Sequence, residues 1–435
     1  MSRPIIGFAG VTHLGLVSAA AAAERGFAVI GFDQDAGRVG RLGRGELEIT
    51  EPGLPELVMK NGSRLSFTSS VTDLAACDVL YVAGDVPTDD HGVSDLDPIR
   101  ALVDAVAPVL RADALLVILS QVPPGFTRSL DRPPARRFYQ AETLVFGRAV
   151  ERALNPERFI LGCADPKVPL PAPLAEFLGA FDCPILPMRY ESAELAKISV
   201  NMCLVASIST VNSLAELCER IGADWSEIIP ALKLDRRIGP SAYLSPGLGI
   251  AGGNLERDLS TFCRLADAHG TDAGVVRAWI ANSRHRRDWV LAQLHERVIG
   301  RVSCPVFAVL GLTYKADTAA TKNAPALALA AALKPFEVRV YDPAVAPPPD
   351  LHPRLKVCGS ALEACTAADA LVVMTPWAEF RQLDLQAVAS RMRGRTVIDP
   401  FAALDAAASR AAGLDYVTLG RPPASVDGSP KATPC

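Results

Sequence analysis

Short unbroken apolar runs recur along the first 130 positions, at 5–9, 28–33, 79–83 and 114–120. Runs this short, apolar on both faces, predict parallel strands buried between helices. Between them, 14–24, 36–44 and 98–111 carry the mixed spacing of helices. Such alternation predicts a doubly wound α/β domain. A Pro/Arg stretch at 132–137 interrupts it, and prolines at 166, 169, 171 and 173 predict a loop. The apolar run 183–187 reads as the end of this first domain. Residues 192–221 contain no Pro or Gly and predict one long helix. Its stretch 198–215 has no charge but is dotted with Ser, Thr and Asn, which predicts a buried helix. A membrane span needs about 20 mostly apolar residues. Helical patterns continue at 224–232 and 254–294, with a break near Gly270 and a Gly/Pro-rich loop at 239–253 between them. A second strand–helix alternation then begins, with strands predicted at 306–311, 337–341, 370–374 and 396–399.

A chain of 435 residues that is 49% hydrophobic has ample core for two or three domains. The net charge is -4 and no Lys/Arg run exceeds two, so nucleic acid and anionic membrane are not expected partners. The ten cysteines are scattered, without CxxC pairs or Cys/His clusters of metal-ligand spacing. Reduced thiols in a cytoplasmic protein are expected, and no metal. The N-terminus runs straight into a strand pattern without the apolar segment of a signal peptide.

After the first predicted strand comes Gly7-Phe8-Ala9-Gly10-Val11-Thr12-His13-Leu14-Gly15. Gly10-x-Thr12-x-x-Gly15 is a GxGxxG fingerprint whose middle glycine is replaced. The glycines would let backbone approach a pyrophosphate held at a helix N-terminus, and a plain tight turn would look the same. Asp33 ends the second strand pattern, where a carboxylate can accept from a ribose 2′-hydroxyl and repel a 2′-phosphate; that favours NAD over NADP. Capping the next helix is the other use for an Asp here, and it suits Asp35 better. His13 could face the cofactor or lie exposed in the loop.

The middle of the chain carries a more specific pattern. Ala193-Glu194-Leu195-Ala196-Lys197-Ile198-Ser199-Val200-Asn201 resembles the helix with which the UDP-glucose/GDP-mannose dehydrogenase family supplies an active-site Lys and Asn. Lys197 and Asn201 share a helix face one turn apart. Further matches keep the family's order: Glu51-Pro52-Gly53-Leu54, Val86-Pro87-Thr88, Val122-Pro123-Pro124-Gly125, Asn155-Pro156-Glu157-Arg158, Arg237-Ile238-Gly239, Gly311-Leu312-Thr313-Tyr314-Lys315, Tyr341-Asp342-Pro343 and Thr375-Pro376-Trp377. The resemblance implies two Rossmann-like doubly wound domains joined by a long central helix. The implied parts are an NAD domain at 1–188, a helical dimerisation domain at 189–298 and a nucleotide-sugar domain at 299–421. A Pro/Ser/Gly-rich tail at 422–435 reads as disordered. The resemblance further implies NAD contacts from Gly7, Gly10, Gly15, Asp33, Val86, Pro87, Gln121 and Lys322. It implies substrate contacts from Arg237, Lys315, Tyr243, Gly249 and Leu144, a homodimer, and an Arg237 that reaches across it.

Members of the family oxidise a sugar C6 alcohol twice, through a cysteine that attacks the intermediate aldehyde and becomes a thioester. Such covalent catalysis needs a nucleophile that is also a good leaving group. The family's GFGGSCFPKD reads here Gly249-Ile250-Ala251-Gly252-Gly253-Asn254-Leu255-Glu256-Arg257-Asp258, with Asn254 at the cysteine. A carboxamide forms neither thiohemiacetal nor thioester. If the segment is helical, Cys263 lies about 13.5 Å further along the axis, and core packing is its expected role. Gln121, Val145, Phe146, Lys322 and Phe401 also depart from the family's residues.

Glu142, Lys197, Asn201 and Asp258 are retained, and with Asn254 they form the expected catalytic set. Lys197 and Asn201 would stabilise an alkoxide, and Glu142 and Asp258 would move protons. The expected activity is NAD-dependent oxidation of a UDP-sugar without a thioester, either as a two-electron oxidation or as an internal-redox epimerisation. A full 6-dehydrogenase that oxidises a hydrated aldehyde, and a non-catalytic sugar-nucleotide binder, are the alternatives. Plainer roles also exist: Lys197 as a solvated helix charge, Glu142 as a surface charge, Arg257–Asp258 as an exposed ion pair worth little, and Trp377 as core.

Overall fold

The computed structural model describes residues 3–89 and 92–422. Contacts divide the chain into two units, Met1–Asn201 and Met202–Cys435. The division falls inside the long helix Tyr190–Ile221.

The first unit is built on an eight-stranded sheet. Its strands are β1 (Ile6–Ala9), β2 (Val29–Phe32), β3 (Leu65–Thr68), β4 (Val79–Val82), β5 (Leu115–Ile118), β6 (Arg137–Gln140), β7 (Phe159–Cys163) and β8 (Ile185–Arg189). They lie in the order β3-β2-β1-β4-β5-β6-β7-β8. All neighbours are parallel except β6 and β7. The strands β1, β4 and β5 are wholly buried, as two-sided apolar runs demand. Each fully buried Val, Leu or Ile contributes about 1.5–3 kcal/mol.

Helix His13–Glu24 covers β1 and contributes five consecutive buried alanines, Ala19 to Ala23. Side chains this small let the helix lie close on the sheet. The edge strands β3 and β8 and the inner strands β6 and β7 carry weaker patterns in the sequence.

The second unit repeats the plan with six parallel strands. These are β9 (Val306–Leu310), β10 (Glu337–Tyr341), β11 (Leu355–Val357), β12 (Ala370–Val373), β13 (Thr396–Ile398) and β14 (Asp415–Val417), in the order β11-β10-β9-β12-β13-β14. Both sheets therefore reverse direction after their first strand, between β1 and β4 and between β9 and β12. Open α/β sheets bind ligands outside the carboxyl ends of the strands at such a switch point. Helices Trp225–Leu234, Asn254–His269, Gly274–Arg287 and Trp289–Leu294 precede this sheet. Gly270, at φ +66°, ends the second of these where a break is expected.

The long helix is less buried than its sequence suggests. Leu204, Leu214, Leu217 and Ile221 are exposed. Among the described residues it is the one helix long and apolar enough to cross a membrane. At its far end the nearly buried Glu219 accepts from Arg286 at 2.5 Å, Trp289 Nε1 at 2.8 Å and the Gly420 amide at 2.8 Å. The tail expected to be disordered lies outside the described residues from 423 onward. Arg421, before it, is paired with Asp224 at 3.1 Å.

At the other end of the long helix, Arg128 Nη2 donates to Glu191 at 2.9 Å and lowers that carboxyl to about 2. A depressed acid stabilises above its unfolded value and loses that contribution as pH falls through its folded value. Wild type is therefore expected to be more stable than Arg128→Met at pH 6, with the gap closing between about pH 4.5 and about pH 2. Urea unfolding at a series of pH values measures this, and a gap that stays constant down to pH 2 contradicts it.

Candidate functional site

The turn after β1 is dictated by close approach. Gly10 has φ +87°, and a Cβ there would lie 2.8 Å from the Gly84 backbone. A Cβ on Gly15 would lie 1.9 Å from the Gly10 carbonyl oxygen. Helix His13–Glu24 starts with no side-chain cap and no acidic residue in its first turn, so its first N–H groups have no partner within the helix. The Thr12 hydroxyl is buried without a hydrogen-bond partner among the described residues. A pyrophosphate supplies acceptors for all of these, so the residues fit a dinucleotide. Gly7 has a different reason to be glycine. It sits inside β1, and a Cβ there would lie 2.5 Å from Leu80 and 2.7 Å from the Cys77 sulfur. The structure thus gives Gly7 a packing role in the sheet.

Asp33 is buried and accepts from the Val11 amide at 3.2 Å, the Asp35 amide at 3.0 Å and Arg38 at 3.0 Å. Asp35, as expected, caps the next helix by accepting from Gly37 and Arg38. Val86 and Pro87 follow β4, and Gln121 follows β5. The Ser120 hydroxyl joins these two loops by donating to the Gly84 carbonyl at 2.6 Å.

The carboxylate of Glu142 lies 3.2 Å from Lys197 Nζ, with the two side chains 14% and 12% exposed. That disposes of a solvated Lys197 and of a surface Glu142. Glu142 also accepts from the Leu144 amide. Asn201 is buried one turn beyond Lys197. Glu194 lies on the same helix, three residues before Lys197. It is fully buried and accepts from the Gly125 amide at 2.6 Å and the Thr127 amide at 2.9 Å. Burial pushes its carboxyl up. It fastens the Val122–Gly125 loop to the helix that carries Lys197. A buried Glu beside a Lys in an apolar helix was the available signal.

In the second unit, Asn254 is the first residue of helix Asn254–His269. The glycine turn before it packs on the segment after β9. A Cβ on Gly252 would lie 3.2 Å from the Tyr314 ring, and one on Gly253 would lie 3.4 Å from the Lys322 chain. Gly249, at φ +76°, would carry a Cβ 2.3 Å from the Ser283 carbonyl oxygen. Arg257 and Asp258 are 3.6 Å apart and both buried, which corrects the expectation of an exposed ion pair. Cys263 is buried among Val205, Leu259, Ala266 and Val276, so core packing holds for it. Burial pushes its thiol up.

Beyond β9, Asp342 accepts from the Leu312 amide at 2.6 Å and from Trp377 Nε1 at 3.2 Å. It thereby fixes the loop that presents Lys315. The Arg237 side chain is 89% exposed and, among the described residues, pairs with the neighbouring Asp235. Tyr243 is also exposed.

Two doubly wound sheets that share the 3-2-1-4-5-6 order, a dinucleotide-type turn and a Lys–Glu pair define an NAD-linked dehydrogenase with two nucleotide-binding folds. Sequence profiles of one family match in chain order. They are the NAD binding domain over 5–169, the central domain over 191–284 and the UDP binding domain over 308–406. The chain belongs to the UDP-glucose/GDP-mannose dehydrogenase family, whose members are NAD-dependent nucleotide-sugar dehydrogenases. It is 32% identical to the UDP-glucose 6-dehydrogenase of Pseudomonas aeruginosa, over 95% of this chain and 96% of that one. It is 30% identical to UDP-glucose 6-dehydrogenase TuaD of Bacillus subtilis, over 95% and 92%. A solved UDP-glucose dehydrogenase from Pyrobaculum islandicum superposes with a TM-score of 0.84 at 27% identity, covering 95% of this chain and 97% of that one.

Removing Glu194 leaves the buried Thr127 amide and the partly buried Gly125 amide without an acceptor. Glu194→Ala is expected to lower the unfolding free energy by roughly 2–6 kcal/mol, each orphaned donor costing about 1–3 kcal/mol. Denaturant unfolding measures it, and a loss below about 1 kcal/mol would show that solvent reaches those amides.

Proposed function

We propose that this enzyme removes two electrons from a UDP-sugar alcohol and stops before the acid. The observation that carries the reading is Asn254 at the head of its helix, where the family's motif has cysteine. NAD, when bound, accepts the hydride from the alcohol carbon. Lys197 and Asn201 hydrogen-bond the oxygen on that carbon and stabilise the charge it gains. Glu142 takes the hydroxyl proton, directly or through water, and Asp258 assists. The Asn254 carboxamide orients the sugar but cannot add to the carbonyl. Cys263 offers no replacement, since a buried thiol with a raised pKa is a poor nucleophile. The product is an aldehyde or ketone. Where that product is a ketone, return of the hydride to its opposite face would give an epimer.

Lys315, Arg237, Tyr243, Gly249 and Leu144 hold the sugar nucleotide, and Gly10, Gly15, Asp33, Val86, Pro87, Gln121 and Lys322 hold the cofactor. UDP is favoured because a UDP binding domain is what the last third matches. The division at 188 and 298 into cofactor, helical and nucleotide-sugar parts belongs to the same reading. So does a cytoplasmic homodimer: the exposed Leu204, Leu214, Leu217 and Ile221 give the long helix a face to pair, and pairing would bring the solvent-exposed Arg237 to a partner's site.

With NAD and UDP-glucose, the enzyme is expected to form one NADH per sugar and an aldehyde that hydroxylamine traps. Thiol alkylation should leave the rate unchanged. Lys197→Ala should slow turnover by about 10²–10³, the usual effect of losing one oxyanion donor. Two NADH per sugar, with a uronic acid as product, would overturn the reading.

A further inference from the structure

His13 heads the helix that follows the dinucleotide turn, and it is neither exposed nor idle. Its Nε2 lies 3.1 Å from Glu51 Oε2, with the two side chains 13% and 1% exposed. Its ring stacks on Phe146 with centroids 4.3 Å apart and planes 28° apart. Glu51 also accepts from the Gly147 amide at 3.1 Å and the Ala149 amide at 2.7 Å. Three bonds to one nearly dry carboxylate therefore join the start of the cofactor helix to the far end of the 142–149 loop. The near end of that loop is Glu142 on Lys197.

A bonded, stacked side chain resists displacement, and charge-assisted bonds out of water are the strong ones. We propose that His13 is a positioning residue that couples dinucleotide binding at the helix start to the order of the loop that carries Glu142. His13 bonds the carboxylate that holds the loop's backbone, and its ring covers the loop's one aromatic side chain. Cofactor binding restrains the helix start, and the restraint passes through His13 and Glu51 to Gly147 and Ala149. The catalytic meaning of this coupling rests on the reading of Glu142 as the proton-handling carboxylate.

Hydrogen exchange of peptides spanning 143–149, with and without saturating NAD, tests the coupling in the full-length protein. In wild type, NAD is expected to slow exchange there. In His13→Phe, which keeps a ring against Phe146 but donates nothing, exchange without NAD should rise about ten-fold, the order expected for losing a hydrogen bond to a carboxylate. NAD should no longer slow it, although calorimetry still detects NAD binding. His13→Gln retains a donor and should restore at least part of the NAD-induced protection, a rescue that mere space-filling would not give. Wild-type protection in His13→Phe overturns the proposal, as does a His13→Gln protein that behaves like His13→Phe. Glu142→Gln separates the two readings. It should leave exchange at 147–149 unchanged and slow turnover of UDP-glucose; unchanged turnover sinks the role of Glu142 while the His13 anchor stands.

Discussion

A lysine and a glutamate held 3.2 Å apart and nearly out of water set the terms for the first unit. Taking either charge from solvent is costly, and the pair persists only where each partner is fixed by something else. Lys197 is fixed by the long helix, and that helix is fixed at the level of Glu194, whose carboxylate collects two amides of the loop after β5. Glu142 is fixed by its own loop, through the Leu144 amide near it and Glu51 further along. Buried carboxylates on backbone N–H groups thus hold the elements that the pair joins. The second unit does likewise, with the partly buried Asp342 under the loop after β9 and the buried Asp399 under the turn to Leu404.

The strand–helix plan was legible because the inner strands β1, β4, β5, β9 and β12 are almost wholly buried, and their apolar runs have no charged interruption. Strands at or near the edges were not. β3, β8 and β11 are partly open to solvent, so their sequences mix polar residues into short runs, and β6 runs antiparallel to β7 behind a proline-rich segment. The long helix was legible in extent and misjudged in burial. Its Ser, Thr and Asn suggested a packed interior, while several of its leucines face outward.

The site was legible where residues carry a spacing. Lys197 and Asn201 fall on one helix face because they are one turn apart, and the Gly10 and Gly15 positions have backbone reasons that a motif encodes. What spacing cannot give is partnership across distant segments. Nothing in the neighbourhood of His13 announces Glu51 or Phe146, and nothing near Arg257 and Asp258 announces that both would be buried. Arg237 shows the converse. Its motif was recognisable, yet among the described residues its ion pair is with its neighbour Asp235.

The five buried alanines under the cofactor turn carry a consequence of their own. Ala20 and Ala22 are fully enclosed, and Leu16 and Val17 of the same helix are buried with them. An added methylene at Ala20 or Ala22 has no room to be absorbed locally in an interior packed to crystal density. The helix must lift as a rigid rod, and its leading end lifts with it. A volume error in the hydrophobic interior would then register as poor recognition of a phosphate group more than one helical turn away, in a protein whose polar residues are all intact.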